Sequence, residues 1–269
     1  MATKKVEPKK PTTAVAKKPA DEAGQGEALI LMGDQMPTPD YVQTGQQRGS
    51  EQVQADDLVI PRLEVVQALS PAVTYGDPGF IKGAAVGDLI NSVTNQNYGK
   101  SVYVVPVHYT KQWLVWRDRA QGGGFLGAFP NPSLAEDKVQ AEGGKAKGVE
   151  SIDTPTHLCL LINTASHKVE EIIVSMPRTK AKISRQWNSM IRLAGGDRFS
   201  RAYQVASQVE KNAKGTFANF VVAASGFPAK SVFMQAEKLY ASVTSGQRNV
   251  VMDTKGFDAG SGTGDDHDM

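Results

Sequence analysis

The sequence has almost no cysteine and no pattern of metal ligands. Cys159 is the only cysteine in 269 residues, so an internal disulfide cannot form, which fits a reducing compartment. It lies in the apolar run HLCLLI without a nearby His and Asn pattern, which is typical of a packed core residue. The four histidines, at positions 108, 157, 167 and 267, show no HxxxH or HExxH spacing. The sequence therefore predicts no metal site and no thiol nucleophile.

Other signatures of catalysis and of membrane insertion are also missing. The glycine-rich stretch 79–99 contains neither GK[ST] nor GxGxxG, and no GxSxG occurs. Acidic residues stand as adjacent pairs, as at 56–57, 136–137 and 170–171, and neighbours on a strand point to opposite faces. There is no apolar run of 18 residues, and the N-terminus lacks the apolar core of a signal peptide. We expect an intracellular protein without enzymatic activity, cofactor or membrane segment.

Charge and apolar residues are distributed unevenly along the chain. Residues 1–55 carry seven basic and seven acidic residues, residues 56–245 carry 21 and 16, and residues 246–269 carry two and five. The first and last segments have little periodic apolar pattern, and the first is rich in Lys, Pro and Ala. Such composition buries too little apolar surface to offset chain entropy. We therefore predict a disordered N-terminal arm (1–55), one folded domain (56–245) and a disordered acidic tail (246–269).

The segment Met176–Tyr203 concentrates basic and aromatic residues. Residues 176–214 contain nine basic and two acidic residues. Pro177 and Thr179 are typical of a helix start, with Thr179 as candidate N-cap, and Gly195-Gly196 is typical of a helix end. At 100° per residue, one face of this helix is apolar, and the opposite face carries Lys182, Arg185, Ser189 and Arg192. A surface helix kept soluble by its charges would show the same pattern.

Most of the folded domain has a strand-like pattern. The run Ser101–Asp118 is rich in β-branched and aromatic residues and predicts two strands, joined or bent between Pro106 and Lys111. If its second half alternates regularly, one face carries Trp113 and four neighbours at two-residue spacing, and the other carries Leu114 and Trp116. The members of the first face are Lys111, Trp113, Val115, Arg117 and Arg119. A single bulge would reverse the two faces and bury Trp113 instead of Trp116.

The remaining pattern completes a β-rich α+β domain. Residues 157–162 and 169–176 predict a hairpin leading into the basic helix, and residues 199–209 and 216–224 predict two more strands. Apolar residues at helical spacing predict a helix over 230–243. The polar stretch 130–148 is interpreted as a long loop.

Cations interleaved with aromatic side chains favour binding of single-stranded nucleic acid. Cations bind phosphates through release of counterions, and aromatic rings stack on bases with little sequence preference. We assign phosphate contacts to basic residues in both segments and base stacking to Trp113 and Tyr203, with Trp187 placed in the core. The predicted DNA-binding residues are Lys111, Trp113, Arg117, Arg119, Lys182, Arg185, Arg192, Arg198, Arg201 and Tyr203.

A resemblance to a known family supports this interpretation. The run TKAKISRQWNSMIRLAGG, followed by RFSRAYQVASQVEKNAKGTFANFVVA and AEKLYASV, resembles the C-terminal half of a bacteriophage single-stranded DNA-binding protein family. The resemblance spans roughly residues 57–245 and is best over 175–245. It implies an OB-like antiparallel barrel with one basic amphipathic helix and a C-terminal helix. It also implies a viral protein acting in DNA replication, recombination or repair in the cytoplasm of an infected bacterium.

Two further expectations concern the tail and the alternatives. Asp265, Asp266 and Asp268 would form a mobile acidic end that binds phage replication proteins or competes with DNA for the basic groove. Copies of the chain could also associate as a homo-oligomer. A phage structural or assembly protein would share the disordered ends, and a strand-annealing recombination protein would share the DNA-binding surface.

Overall fold

The computed structural model describes residues 48–54, 57–164, 168–212 and 215–248. The chain divides into two units, Met1–Glu51 and Gln52–Met269. The first unit is described only over residues 48–51, and every helix and strand below belongs to the second. Most of the predicted N-terminal arm and nearly all of the acidic tail lie outside the described residues.

The second unit is built around a six-stranded antiparallel sheet. Its central path runs in the order β7-β6-β4-β8-β9, and β5 pairs with the far end of β4. The hairpin predicted to precede the basic helix is confirmed, because β6 and β7 pair along the whole of β7. The strands are β4 (Ser101–Arg117), β5 (Gly124–Phe129), β6 (Val149–Asn163), β7 (Lys168–Ser175), β8 (Ala202–Asn212) and β9 (Gly215–Gly226).

The central strand β4 is a single strand of 17 residues, so the predicted division into two strands is wrong. The predicted irregularity is present, because the pairing with β6 shifts register between Pro106 and His108. Proline has no N–H to donate to a neighbouring strand, and a bulge beside it absorbs the missing bond. The strand continues beyond the bulge, where β6 stays beside it and β5 joins its other edge.

A second, small sheet shares a core with the two outer strands of the large sheet, β7 and β9. It contains β1 (Leu63–Val65), β2 (Leu89–Asn91) and β3 (Asn97–Gly99), paired in that order. Just before β1, the Pro61 carbonyl accepts a hydrogen bond from the Ile173 N–H of β7 at 2.8 Å. The segment containing β1 therefore links one outer strand of the large sheet to the small sheet.

Gln67 makes the corresponding link to β9. Its side-chain Nε2 donates to the Ala218 carbonyl at 2.8 Å, and its Oε1 accepts from the Ala218 N–H at 2.9 Å. No strand pairing joins β1 to β9 among the described residues, although Leu63 and Val65 of β1 share a core with Ala218 and Phe220 of β9. The described strands thus form a β-rich α+β structure with antiparallel sheets, and they do not close into a barrel.

Three α-helices cover the sheet: α1 (Pro132–Ala141), α2 (Ala181–Ala194) and α3 (Lys230–Thr244). Helix α2 lies over the core formed by one face of the large sheet and by β1 and β2, and α3 lies over the opposite face. The predicted C-terminal helix corresponds to α3, which buries Ala236 and Leu239. Trp187 of α2 is completely buried in the core beneath this helix. Truncating such a residue to alanine typically costs about 3–5 kcal/mol.

Helix α1 corrects the interpretation of residues 130–148 as a long loop. The Asn131 side chain caps α1 by accepting a hydrogen bond from the Leu134 N–H at 3.0 Å, and Pro132 follows at the first helical position. Ala135 and Val139, one turn apart, are buried against Val115 of β4. A cap and one apolar stripe are enough here, because the end of the sheet supplies the partner surface.

Candidate nucleic-acid interface

The basic helix begins later than its sequence pattern indicates. Arg178–Lys180 form a 3-10 turn, and α2 starts at Ala181 without a side-chain cap, so Thr179 is not the N-cap. The end is as predicted. Gly195 adopts φ 71°, a conformation that L side chains rarely adopt, and its N–H bonds the Arg192 carbonyl at 3.3 Å. The helix is therefore fixed at its C-terminal end by glycine and along its length by packing.

The two faces of α2 differ as the 3.6-residue period predicts. Ile183 and Trp187 are buried, and the placement of Trp187 in the core is confirmed. The outer face carries Lys182, Arg185 and Arg192, all exposed. Since these residues are separated by three and seven positions, they form one row along the helix.

Few carboxylate groups lie near the exposed cations of α2. The helix itself contains no acidic residue. The Nζ of Lys182 lies 4.0 Å from a carboxylate oxygen of Glu210, at the outer limit of an ion pair, and its side chain is 65% exposed. Arg185 and Arg192 form no ion pair with any residue that the structure describes. This row, defined by Lys182, Arg185 and Arg192, is called the cationic row below.

Arg198 does not belong to the cationic row, although it was predicted to contact phosphate. Its Nη2 donates inward to His157 Nδ1 at 2.7 Å and to the Asn188 side-chain oxygen at 2.9 Å. The guanidinium also lies over the ring of Tyr109, 5.3 Å from its centroid. Arg198 thus ties α2 to β6 and β4. Leaving such buried polar partners unpaired typically costs about 1–3 kcal/mol.

The arginine also fixes the proton positions in the network beneath α2. Because a guanidinium can only donate, His157 Nδ1 is the acceptor and Nε2–H donates to Ser184 Oγ at 2.8 Å. Burial, together with the Arg198 charge, holds the pKa of His157 well below its ordinary value. The imidazole gives a hydrogen bond to the serine, whereas a general base would accept one. The network orients α2 and does not activate Ser184.

Tyr203 cannot stack on a base in this structure, so that prediction is corrected. The side chain is 1% exposed, and its ring meets Trp187 edge to face at a centroid distance of 5.8 Å. Its position on β8 points it under α2. The alternation of the strand was predicted, but the side of the sheet that α2 covers depends on tertiary packing.

The second predicted surface, the far half of β4 with β5 and α1, is here called the strand arm. Trp116 is buried on one face of β4, whereas on the other face Val115 is completely buried and the partly exposed Trp113 packs against the same core. Both faces left open by the sequence are therefore covered in this half of the strand. The Nζ of Lys111 lies 5.0 Å above the Trp113 ring and 2.9 Å from a carboxylate oxygen of Asp153. The Arg119 side chain lies outside what the structure describes.

Carboxylates neutralise the cations of the strand arm. Arg117 and Lys138 both pair with Glu142, and the hydrogen bond from Lys138, then the charges of both cations, lowers the pKa of that carboxyl group. Arg178, beside the arm, pairs with Glu150. The predicted residues Lys111 and Arg117 therefore pair with acidic side chains of the protein, whereas Arg185 pairs with none among the described residues.

An exposed aromatic side chain beside Arg201 was not singled out from the sequence. Phe227 follows β9 and is 74% exposed, and the guanidinium carbon of Arg201 lies 4.9 Å from its ring centroid. Arg201 was predicted as a phosphate contact, but its aromatic neighbour was not foreseen. The signal was present in Gly226-Phe227-Pro228, where an aromatic residue stands between two residues that interrupt strands.

The surroundings of these residues offer polar clefts. A cleft of about 290 Å³ lies between α2 and the edge of β9, lined in part by Lys182, Gln186 and Phe220.

Within the described ranges, no group of three His, Cys, Asp or Glu side chains is placed to hold a metal ion. No described helix is long and apolar enough to cross a membrane. The tail residues Asp265, Asp266 and Asp268 lie outside the described residues.

Comparison with known proteins gives one match. The family model described as Pam3 phage gp34-like protein matches residues 32–249, which is most of the chain and includes every described helix and strand. Neither the curated proteins nor the solved structures contain a match.

Proposed function

Because the chain belongs to the Pam3 phage gp34-like family, and is thus a phage protein, we propose that it binds single-stranded DNA during phage replication or recombination. The observation that carries the proposal is the cationic row, Lys182, Arg185 and Arg192, which is exposed and nearly free of carboxylates. A row of this kind suits a polyanion whose charges repeat along a line.

The row would act by following the phosphate backbone. Each phosphate that it neutralises releases condensed counterions, so affinity falls as salt rises, with a slope of roughly −0.7 per contact for a single strand. The two arginines present planar forks that match phosphate oxygens, and the lysine adds a more mobile charge. The attachment of α2 to the sheet supports this role, because the packing of Trp187 and the hydrogen bonds of Arg198 hold the helix in place.

The proposal includes an OB-like fold as its finer structural statement. Three features support this statement: an antiparallel sheet, a segment containing β1 that contacts both of its outer strands, and a helix packed on the same core. Binding of this kind makes and breaks no covalent bond. The direction of the hydrogen bond from His157 to Ser184 supports a binding role over nucleophilic catalysis.

The test is a fluorescence titration of the full chain with an oligo-dT strand at two salt concentrations. The triple variant Lys182→Ala, Arg185→Ala, Arg192→Ala should bind at least tenfold more weakly at low salt, with a shallower salt slope. The matched control removes cations that already have carboxylate partners, Lys111→Ala with Arg117→Ala, and should change affinity about twofold or less.

Three outcomes would contradict the proposal. The first is no binding of the wild-type protein at low salt, and the second is binding that does not depend on salt. The third is an equal loss of affinity in the triple variant and in the control. An annealing assay with complementary strands separates a passive binder from a strand-annealing protein, and co-purification with virions without DNA binding would indicate an assembly protein.

A further inference from the structure

We propose that Phe227, backed by Arg201, forms the platform on which the protein stacks one unpaired nucleobase. The inference rests on the proposed function and adds to it the group that distinguishes exposed bases from phosphates. Tyr203, which the sequence assigned to stacking, is buried, and Trp113 lies beneath a lysine already paired with Asp153. The stacking role therefore needs another aromatic side chain.

The pairing of β8 with β9 places the two residues side by side. Ala202 is the partner of Gly226, so Arg201 and Phe227 leave the ends of neighbouring strands at the same edge. Pro228 follows Phe227 and restricts the backbone there. Three residues before Arg201, Arg198 bonds Asn188 of α2, which joins this edge to the helix that carries the cationic row.

Exposure alone would not single out Phe227. Leu193 is 88% exposed and Tyr75 is 91% exposed, and isolated apolar side chains on a surface are common. Tyr75, however, meets Phe80 edge to face at 5.6 Å, and Leu193 has no ring. Phe227 differs because a guanidinium lies against its ring, and Arg201 forms no ion pair with any described carboxylate.

This arrangement suits a base better than it suits phosphate alone. The guanidinium lies over the Phe227 ring, and the 74% exposure of the side chain leaves room for a base to stack on it. A stacked base gains dispersion from the ring, while Arg201 makes its cation–π contact with the ring itself. Phosphates are present in single and double strands alike, whereas a base face is accessible only in a single strand. Phe227 would thus contribute preference for single strands, which the cationic row cannot.

The experiment compares Phe227→Ala with wild type on three probes of equal length: oligo-dT, an abasic strand and a duplex. Loss of one stacked base should weaken oligo-dT binding by roughly 5- to 150-fold, since stacking contributes about 1–3 kcal/mol per base. Affinity for the abasic strand and for the duplex should not change. Phe227→Trp should keep wild-type affinity for oligo-dT, because the indole also offers a flat face.

Leu193→Ala is the matched control, since it removes another highly exposed apolar side chain, one that cannot stack. The inference is overturned if Phe227→Ala binds oligo-dT like wild type, if it weakens the abasic strand to the same degree, or if Leu193→Ala has the same effect. Failure of the proposed function is a different result, in which wild type binds no probe at low salt. Circular dichroism confirms that each variant is folded before it is compared.

Discussion

The cationic row and the strand arm contain similar numbers of basic residues, yet their charges are arranged in opposite ways. On the strand arm, Lys111 and Arg117 each have a carboxylate within hydrogen-bonding distance. On α2, Arg185 and Arg192 have none among the described residues, and Lys182 has one only at 4.0 Å. The positive charges of the arm are therefore largely neutralised by acidic side chains, whereas those of the cationic row are not.

The difference shows that the net charge of a surface depends less on the number of its basic residues than on where acidic residues lie beside them. Asp153 and Glu150 reach the arm from β6, and Glu142 reaches it from the end of α1. Exposed pairs of this kind contribute about 0–1 kcal/mol each to stability, so their main effect is on the electrostatic potential. Three predictions would break or sharpen the comparison.

The largest effect should come from Lys180, a cation that faces inward at the start of α2. Its ammonium lies 4.9 Å from the Phe220 ring centroid, and burial, aided by the charge of Arg62 and opposed by that of Glu64, lowers its pKa from 10.5 to about 8. Below pH 8 the folded protein must keep a charge on this half-buried, partly desolvated side chain. Lys180→Met should therefore raise the free energy of unfolding at pH 7 by about 1–3 kcal/mol.

The stability difference between the wild type and Lys180→Met should depend on pH. Between about pH 8 and 10.5 the folded state has lost the Lys180 proton that the unfolded state still binds, so the wild type gains stability relative to Lys180→Met as pH rises. Urea unfolding at pH 7 and at pH 9.5 should show the gap between the two proteins shrinking. A gap that stays constant would mean that Lys180 is charged throughout, and Lys182→Met serves as the exposed control.

The second prediction adds an acidic residue to the cationic row, so that its arginines become paired like the cations of the strand arm. Ser189 lies on the same face, four residues after Arg185 and three before Arg192, so Ser189→Glu would place a carboxylate between the two arginines. Affinity for oligo-dT should fall about tenfold at low salt, equivalent to about 1.4 kcal/mol, and recover partly at high salt. Ser189→Gln should bind like wild type, and an equal loss in both variants would implicate side-chain size instead of charge.

The third and smallest effect converts the arm toward the row. Asp153→Asn with Glu142→Gln leaves Lys111, Arg117 and Lys138 without carboxylate partners. Affinity for oligo-dT should rise about threefold, with a steeper salt slope, because added cations increase counterion release. The same change made on the triple variant of α2 shows whether the arm can replace the row. No change in slope would place the arm out of reach of the strand.

Periodicity predicted the features that depend on local spacing. The burial of Trp187 and the exposure of Arg185 follow from 100° per residue, and the end of α2 follows from Gly195. The β-rich character and the β6–β7 hairpin follow from β-branched runs. The family match was not needed for any of these.

Features that depend on distant contacts were not accessible from the sequence. Arg198 meets His157 across 41 residues, and Lys111 meets Asp153 only because β4 and β6 pair in one particular register. The burial of Tyr203 depends on the side of the sheet that α2 covers. A charged or aromatic side chain can be placed on a strand face by alternation, but its partner is chosen by tertiary packing.

The contact between Gln67 and Ala218 has a consequence for assembly. Strand β9 carries no charged residue from 215 to 226, and an outer strand with free backbone groups is a template for pairing with another chain. The Gln67 carboxamide takes up both backbone groups of Ala218, as a further strand would. One side chain thereby occupies the backbone groups that a strand of another copy would need for pairing at Ala218.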